Sequence, residues 1–264
     1  MALYLIGIGL GNEKDITLNG MEAVKKCSRI YLENYTSTLT GCKTADLEKL
    51  YSKKIIPANR ELVEKKAEST ILADALKHDT ALLIAGDVFG ATTHADLFLR
   101  AKEKNIEVRI INNASIINAV GNTGLELYKF GRTTSVVFGE ENWKPETAYD
   151  AIKENKKISL HTLCLLDIKI NENNKNSNET DKFMTVSQAI KCLLDIEARR
   201  KENVFTEDTF AVGCARLSGE DPVIRSGRAK DLIGMDFGKP LHCLIVPGRL
   251  HFKEEEMLEF WNNN

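Results

Sequence analysis

Strand and helix patterns alternate through the first 113 residues, and this alternation limits the fold more than any other feature of the chain. The run TALLIAGD (80–87) shows no alternation of polar and apolar residues, which is typical of a strand covered on both faces. The other predicted strands lie at 3–9, 29–35, 53–58 and 107–113, and the predicted helices at 18–27, 60–77 and 94–104. Such repetition predicts a mainly parallel sheet with helices on both faces.

The pattern changes near Asn113, after which strand signals dominate. We therefore expect two α/β domains, 1–113 with a mainly parallel sheet and 114–264 with a mixed sheet. The strands predicted in the second domain are 133–138, 157–168, 208–217, 221–227 and 241–248, with long helices near 145–156 and 185–201.

Two further segments of the chain have a distinct composition. The polar tract 171–182 lacks core-forming residues and predicts a surface loop. The stretch KEEEMLEFW (253–261) predicts an amphipathic helix with Met257, Leu258 and Trp261 packing inward.

The composition excludes several functional classes. Hydrophobic residues at 43% and charged residues at 28% are typical of globular proteins, and a net charge of −2 argues against broad nucleic-acid binding. No apolar run approaches the length of a membrane-spanning helix, and MALYLIG predicts a first strand rather than a secretory signal. The six cysteines show no CxxC pair and the histidines no HExxH spacing, which predicts buried reduced thiols, no metal site and a cytoplasmic location.

The first predicted strand ends in a glycine-rich turn, LYLIGIGLG (3–11). A dinucleotide fingerprint requires G-x-G-x-x-G, but here Asn12 occupies the position of the third glycine. Glu33 lies where an acid that binds ribose would be expected. From these residues alone, the turn fits a dinucleotide site, another nucleotide-like cofactor or simple tight packing.

A second loop, within LLIAGDVFGATTHADL (82–97), follows a buried strand. The carboxyl ends of parallel strands are where α/β proteins place ligands. Gly90 allows backbone groups to approach a ligand closely. Asp87 is suited either to accept hydrogen bonds from a ligand or to cap the following turn.

Together these stretches resemble a known family. The segment YLIGIGLGNEKDITLNGMEAVKKCSRIYLENYTS resembles the opening of the tetrapyrrole-methylase-like methyltransferases. The blocks AGDVFGATTHADL, NNASIINAVGNTGLELYKFG, HTLCLLDIK and DFGKPLHCLIVPG resemble the diphthine synthases, in family order and over nearly the whole chain. The resemblance implies two α/β domains of the tetrapyrrole methylase fold with the cofactor cleft between them, and argues against a dinucleotide site.

The resemblance also implies which residues bind S-adenosylmethionine. They are the backbone of Leu10, then Asp87, Gly90, Ser115, Ile116, Leu166, Leu217 and His242. Aliphatic side chains with free backbone groups suit the apolar plate and polar edge of adenine. From the residues alone, Leu166, Leu217 and His242 fit ordinary strand core equally well, and Ser115 fits a helix cap.

The implied activity is methylation of an aminocarboxypropyl group on a histidine of translation elongation factor 2, with the cofactor released as S-adenosyl-L-homocysteine. A sulfonium is already activated, so alignment of the reactants supplies most of the acceleration and no catalytic acid or base is assigned. HTLCLLDIK followed by a long polar insertion resembles the eukaryotic branch, which implies a fourth methyl that forms an ester.

The resemblance further implies a homodimer with no nucleic-acid or membrane partner. ARRK (198–201) and FGEENWK (138–144) are candidate docking segments, with a solvated face as the alternative. A methyltransferase acting on porphyrin precursors and a binding protein that has lost its cofactor remain alternative functions.

Overall fold

The computed structural model describes residues 1–35, 39–140, 143–170 and 181–262. They divide into two compact units. The first comprises Met1–Ala119 with Ser218–Glu220, and the second comprises 120–170, 181–217 and 221–262. The division falls shortly after the boundary predicted between residues 113 and 114, which stays a prediction.

The first unit contains a five-stranded sheet in which every described pairing is parallel. This confirms the mainly parallel sheet. Its strands are β1 (Ala2–Gly7), β2 (Arg29–Glu33), β3 (Ile56–Ala58), β4 (Thr80–Ile84) and β5 (Glu107–Ile111), in the order β3-β2-β4-β1-β5. The helices of this unit are α1 (Leu18–Lys26), α2 (Thr44–Tyr51), α3 (Ile71–Ala75), α4 (Ala95–Glu103) and α5 (Ile116–Ala119), with a short 3-10 turn at Glu13–Asp15.

The central strands β1 and β4 of this sheet are buried on both faces, which explains why β4 shows no polar alternation. Leu5 and Leu82 belong to a hydrophobic cluster on one face, and Ile6 and Leu83 belong to a second cluster. Successive side chains of a strand point to opposite faces, so the central strands β1 and β4 are apolar or small at nearly every position, whereas the edge strand β5 carries the exposed residues Glu107 and Arg109.

The helix predicted over 60–77 is wrong as a single element. The structure has a π-helical turn at Glu61–Lys65, a 3-10 turn at Ala67–Ser69 and then α3. The Arg100 guanidinium on α4 donates a hydrogen bond of 2.9 Å to the Glu64 carbonyl. In a continuous helix this carbonyl would accept a hydrogen bond from a backbone N–H, but here it accepts one from a side chain distant in sequence. A tertiary contact thus stabilises the separate turns in place of a regular helix.

Helix α2 was not predicted from the sequence. The Lys43 N–H donates to Asp46 Oδ2 at 2.8 Å, which satisfies a backbone donor just before the helix. Leu47 and Tyr51, four residues apart, are the buried residues of its inner face.

The second unit contains a mixed five-stranded sheet, as predicted. The order is β11-β10-β12-β7-β6, with β6 parallel to β7 and the other pairs antiparallel. Its strands are β6 (Thr134–Val136), β7 (Thr162–Leu166), β10 (Phe210–Ala215), β11 (Val223–Arg228) and β12 (His242–Val246), and a separate ribbon pairs β8 (Ile168–Lys169) with β9 (Lys182–Phe183). The helices are α6 (Thr147–Lys157), α7 (Val186–Arg200), α8 (Ala229–Leu232) and α9 (Phe252–Asn262), with 3-10 turns at Val120–Thr123 and Leu127–Lys129.

The strand predicted over 157–168 begins later than expected, at Thr162. Lys157 ends α6, and the N–H groups of Ile158 and Leu160 donate to the Asn155 carbonyl at 3.1 and 2.9 Å. These bonds close the helix end and delay the extended backbone.

Helix α9 confirms the predicted terminal helix, but the prediction that Met257 packs inward is wrong. Leu258 is buried, and Trp261 donates from Nε1 to the Thr123 carbonyl at 3.0 Å. Met257 is 40% exposed, although its Cβ lies against Gly124. Glu254 occupies the buried position instead. Of the predicted surface loop 171–182, residues 171–180 lie outside the described part of the chain.

Candidate functional site

In the first unit, the loops that follow β1, β4 and β5 lie at one edge of the parallel sheet. Gly9 and Gly86 form a bridge, in which each N–H donates to the other residue's carbonyl at 3.2 and 2.7 Å. Both glycines have positive φ angles, 80° and 82°, which side chains disfavour. The strands predicted at 3–9 and 80–87 therefore end early and continue as paired loops.

Four predicted site residues of the first unit meet around these loops. A Cβ on Gly86 would lie 3.6 Å from Leu10 Cδ2 and 3.8 Å from Ser115 Cβ. A Cβ on Gly90 would come within 2.7 Å of Ser115 Cβ and 3.4 Å of Asp87 Cβ. The absence of side chains at both glycines leaves their backbone beside these neighbours.

Asp87 uses its carboxylate to hold the backbone. Its Oδ1 accepts from the Phe89 N–H at 3.0 Å, and its Oδ2 accepts from the Asn113 N–H at 3.0 Å and from Asn112 Nδ2 at 2.9 Å. Burial acts to raise the pKa of Asp87, but these hydrogen bonds outweigh it and lower the pKa. Asp87 therefore caps its own turn, and it also ties that turn to the end of β5.

Ser115 is the cap of α5, as the sequence suggested. Its Oγ accepts from the Ile117 N–H at 3.2 Å, and its own N–H donates to Asn118 Oδ1 at 2.7 Å. Ile116, the first residue of α5, is half-buried. The cap fixes the backbone of Ser115 and Ile116 directly after β5.

Two residues of this edge were missed as site residues, Asn113 and Asp15. Asn113 Nδ2 donates to the carbonyls of Gly7 and Asp15, both at 3.0 Å. Asp15 Oδ2 accepts from the Gly11 N–H at 2.7 Å. Asn113 lies inside the quoted NNAS block, so the resemblance already pointed to this segment. Nothing in the local sequence pattern indicated which groups Asn113 bonds to.

In the second unit, the other three predicted residues share one edge of the mixed sheet. Leu166 ends β7, His242 begins β12 and Leu217 follows β10. The antiparallel register pairs Ala215 with His242 and Leu165 with Cys243, which aligns these strand ends. Leu166 is 8% exposed and Leu217 6% exposed, so their side chains are part of the strand core.

The His242 ring is fixed by its own loop. Its Nε2 lies 3.2 Å from the Gly238 carbonyl and 3.0 Å from the Lys239 carbonyl, so Nε2 carries the proton. Burial lowers the pKa of His242, against the opposing effect of these carbonyls. The neutral ring therefore serves to shape the loop.

Arg216 is a further residue of this edge that sequence reasoning missed. It has a positive φ angle of 51°, and its guanidinium donates to the carbonyls of Phe237, at 2.9 Å, and Lys239. The guanidinium also pairs with the Asp221 carboxylate at 3.0 Å. Arg216 and His242 thus hold the same loop from two directions.

The candidate docking segments differ in what the structure shows. Arg199 and Arg200 are paired with carboxylates of the α6 region, Arg199 with Glu146 at 2.9 Å and Arg200 with Asp150 at 2.6 Å. Their charges are therefore already engaged. Trp143 is 53% exposed, while residues 141–142 of the second segment lie outside the described part.

The six cysteines are free, and four of them are buried, while Cys42 and Cys192 are half-buried. In the ranges that the structure describes, no three His, Cys, Asp or Glu residues are grouped as a metal site. No helix among the described residues combines the length and apolar character needed to cross a bilayer.

Comparison with known proteins identifies the class. Residues 2–232 match the family model of the tetrapyrrole (corrin/porphyrin) methylases. A crystal structure of diphthine synthase superposes with a TM-score of 0.87 at 32% identity, covering 100% of this chain and 96% of the other. The fold and the sequence thus agree on a methylase.

Curated relatives narrow the class further. The chain is 49% identical to the diphthine methyl ester synthase of Dictyostelium discoideum, over 98% of this chain and 97% of the relative. It is 50% identical to the diphthine synthase of Methanocaldococcus jannaschii, over 99% of both chains. The chain belongs to the tetrapyrrole methylase family, and within it to the diphthine synthases.

Proposed function

We propose that this protein transfers methyl groups from S-adenosylmethionine to the aminocarboxypropyl-histidine of translation elongation factor 2, in diphthamide biosynthesis. The observation that carries the proposal is the 49% identity, over 98% of the chain, with a diphthine methyl ester synthase. The glycine loops of the first unit support it, because they offer backbone groups at the edge where α/β proteins bind ligands.

The residues of the first unit fit such a cofactor. At Gly86 the missing side chain leaves room beside Leu10 and Ser115, and at Gly90 only glycine fits beside Ser115. We assign ligand contacts to the backbone of Leu10 and Gly90 and to Ser115 and Ile116. The Asp87 carboxylate already accepts three hydrogen bonds, so it acts chiefly by fixing the loop and has acceptor capacity left for one more.

The residues of the second unit contribute a different surface. Leu166 and Leu217 are buried strand-end residues, and we propose that their backbone groups and the edges of their side chains contact adenine. For His242 we propose a backbone or ring contact and no proton transfer, because its Nε2 proton is held by two carbonyls. The cleft between the domains stays a prediction of the resemblance.

The bound cofactor supplies a methyl group on a positively charged sulfonium. The task of the protein is then to align the acceptor with that group and to exclude water. An amine attacks in its neutral form and loses one proton for each of the first two methyl groups. After three transfers the nitrogen has no lone pair, so the neighbouring carboxylate is the remaining nucleophile. We propose four transfers that end in a methyl ester.

The partner and setting follow from the same proposal. The substrate is a protein that acts in translation, so we place the enzyme in the cytoplasm, and we propose that it is a homodimer. Sedimentation velocity at micromolar concentration tests the dimer directly, and a single monomeric species would contradict it.

The function is tested in two steps. Calorimetry with S-adenosylhomocysteine measures whether the cofactor product binds, and labelled S-adenosylmethionine then measures transfer to the elongation factor 2 intermediate or to a porphyrin precursor. We expect transfer to the elongation factor alone. Transfer to the porphyrin precursor would move the chain to the other branch of the family, and no binding would indicate a protein without cofactor.

The number of methyl groups needs its own measurement. Identity alone does not separate the two products, since the methyl ester synthase and the diphthine synthase named above match almost equally. Intact-mass analysis of the modified elongation factor, without alkaline steps that would hydrolyse an ester, should show four methyl groups. A reaction that stops at three with excess cofactor would contradict the ester.

A further inference from the structure

One asparagine, Asn113, is bonded to all three loops at the edge of the parallel sheet. Its Nδ2 donates to the Gly7 carbonyl at the end of β1 and to the Asp15 carbonyl beyond the glycine turn, both at 3.0 Å. Its backbone N–H donates to Asp87 Oδ2 in the loop after β4. Its own Oδ1 accepts from the Ala114 N–H at 2.7 Å, in the loop after β5.

These contacts require the amide of asparagine. Both hydrogens of Nδ2 face carbonyl oxygens, so a carboxylate of the same size would place negative charge against two acceptors. The packing is also close, since a Cβ on Gly7 would lie 3.0 Å from Asn113 Cβ. A longer side chain has no room to make the same bonds.

The bonds from Asn113 hold the glycine turn at both ends. One reaches Gly7, where the turn begins. The other reaches the Asp15 carbonyl, and the Asp15 carboxylate in turn accepts from the Gly11 N–H, where the turn ends. Leu10 lies between these two anchors, next to Gly9, which is bridged to Gly86.

We propose that Asn113 is a positioning residue that fixes the backbone of Leu10 for binding S-adenosylmethionine and S-adenosylhomocysteine. The inference rests on the proposed function and adds to it a residue and a mode of action. Asn113 acts on the ligand through the turn, so its loss weakens binding while the aligned acceptor chemistry, once the cofactor is saturating, is retained.

The test compares Asn113→Ala and Asn113→Asp with the control Asn34→Ala, an exposed asparagine that follows β2 of the same sheet. Calorimetry with S-adenosylhomocysteine is run well below the melting temperature of each variant. Both variants lose the two hydrogen bonds donated by Nδ2, and Asn113→Ala also loses the one accepted from the Ala114 N–H, which predicts a Kd about tenfold higher or more for each. In the methyl-transfer assay, the KM for S-adenosylmethionine should rise by a similar factor, with kcat within about twofold. The control should bind like the unmodified protein.

A purely structural role would lower the melting temperature and leave the Kd and KM unchanged, and that result would overturn the inference while the proposed function stands. Absence of binding by the unmodified protein would overturn both. If Asn113→Ala does not fold, Asp15→Ala breaks the bond to Gly11 from the other side. The same tenfold loss is expected for that variant, and unchanged affinity would contradict the inference.

Discussion

The two units hold their loops in different ways. At the edge of the parallel sheet, glycine backbone packs tightly, and the neutral side chain of Asn113 and the half-buried carboxylate of Asp87 bond to carbonyl and N–H groups. In the second unit, buried charged side chains hold the loops instead, namely Arg216 after β10 and Glu254 in the first turn of α9. The loops at the edge of the parallel sheet should therefore be sensitive to added volume, and the segments held by Arg216 and Glu254 to lost charge.

Glu254 is the centre of the buried network in the second unit. Its Oε1 accepts from the Glu126 N–H and from His161 Nε2, both at 2.9 Å, and its Oε2 accepts from the His251 N–H and from the Lys129 ammonium. Burial acts to raise the pKa of Glu254, but these partners lower it to about 2. The carboxylate is charged, fully enclosed and bonded on both oxygens.

The largest expected effect is that of Glu254→Ala. It removes the acceptor of the Lys129 ammonium, of His161 Nε2–H and of two backbone N–H groups, and leaves Lys129 only the Glu126 carboxylate at 3.7 Å, so the free energy of unfolding should fall by about 3–5 kcal/mol. Urea denaturation measures this, with Glu255→Ala on the exposed side of α9 as the control. A loss below about 1 kcal/mol would show that buried charge does not distinguish the second unit.

The converse experiment adds volume to the first unit. In Gly7→Ala the new Cβ would lie 2.7 Å from the Gly86 carbonyl oxygen and 3.1 Å from Asp87 Cα, and backbone atoms yield little. We expect a loss of about 1–3 kcal/mol in unfolding free energy, with weaker binding of S-adenosylhomocysteine.

The matched control for this substitution is Gly234→Ala in the second unit. There the nearest atom is the Asp231 carbonyl oxygen at 3.9 Å, so the added methyl group makes only an ordinary van der Waals contact. Equal effects of the two substitutions in denaturation and calorimetry would show that the loops at the edge of the parallel sheet are not unusually sensitive to added volume.

Acid should weaken the second unit in two stages. His161 Nδ1 accepts from the Gly248 N–H at 3.0 Å, so its protonation breaks this bond, and burial lowers the pKa of His161 although Glu254 acts to raise it. A lowered histidine pKa means that stability is complete above the unfolded value of about 6.5 and is lost as the pH falls below it. The lowered pKa of Glu254 adds a second loss, from about pH 5 down towards pH 2.

Urea denaturation between pH 8 and about pH 3 covers the first stage and most of the second, and the loss between pH 7 and pH 5 should be smaller than that of Glu254→Ala. His161→Asn should make the first stage smaller, because its amide does not titrate, while His94 and His242, whose pKa values burial also lowers, still titrate in this variant. If stability stayed flat from pH 7 to pH 5 in the unmodified protein, the role given to His161 would be wrong.

The smallest expected effect is that of shortening the polar tract. Lys182 and Phe183 form β9, so the cut should spare them and replace only residues 171–180 with a brief turn. The removed residues include no large apolar side chain, so little buried area is lost. Melting temperature and S-adenosylhomocysteine affinity should both stay close to the original values, and a marked fall in either would give the tract a structural role.

The parts of the fold that local pattern controls were predictable. The strands of the parallel sheet follow from apolar runs, and Ser115 follows from cap chemistry. The single helix predicted over 60–77 was wrong because Arg100, far along the chain, donates a hydrogen bond to a backbone carbonyl of this segment. The burial of Glu254 could not be predicted from the segment KEEEM. Which of its carboxylates is buried depends on Lys129 and His161, which lie more than 90 residues away.

The residues of the candidate site also divide into those that the local sequence indicates and those that it does not. Gly86, Asp87 and Gly90 stand out by residue type at the end of a predicted strand. Leu166, Leu217 and His242 came only from the resemblance, because a strand-end leucine or histidine has no local mark of binding. Asn113 is the intermediate case, since its block was recognised but its partners are set by the tertiary fold.

The position of Glu254 near the end of the chain also affects the order in which the protein becomes complete during synthesis. The strands and helices that the structure describes in the first unit all lie within residues 1–119, so these elements can leave the ribosome and pack early. Lys129 and His161 emerge next but find their carboxylate only when residue 254 has been added. We expect the nascent second unit to stay susceptible to protease until its last helix is free, long after the first unit has become resistant.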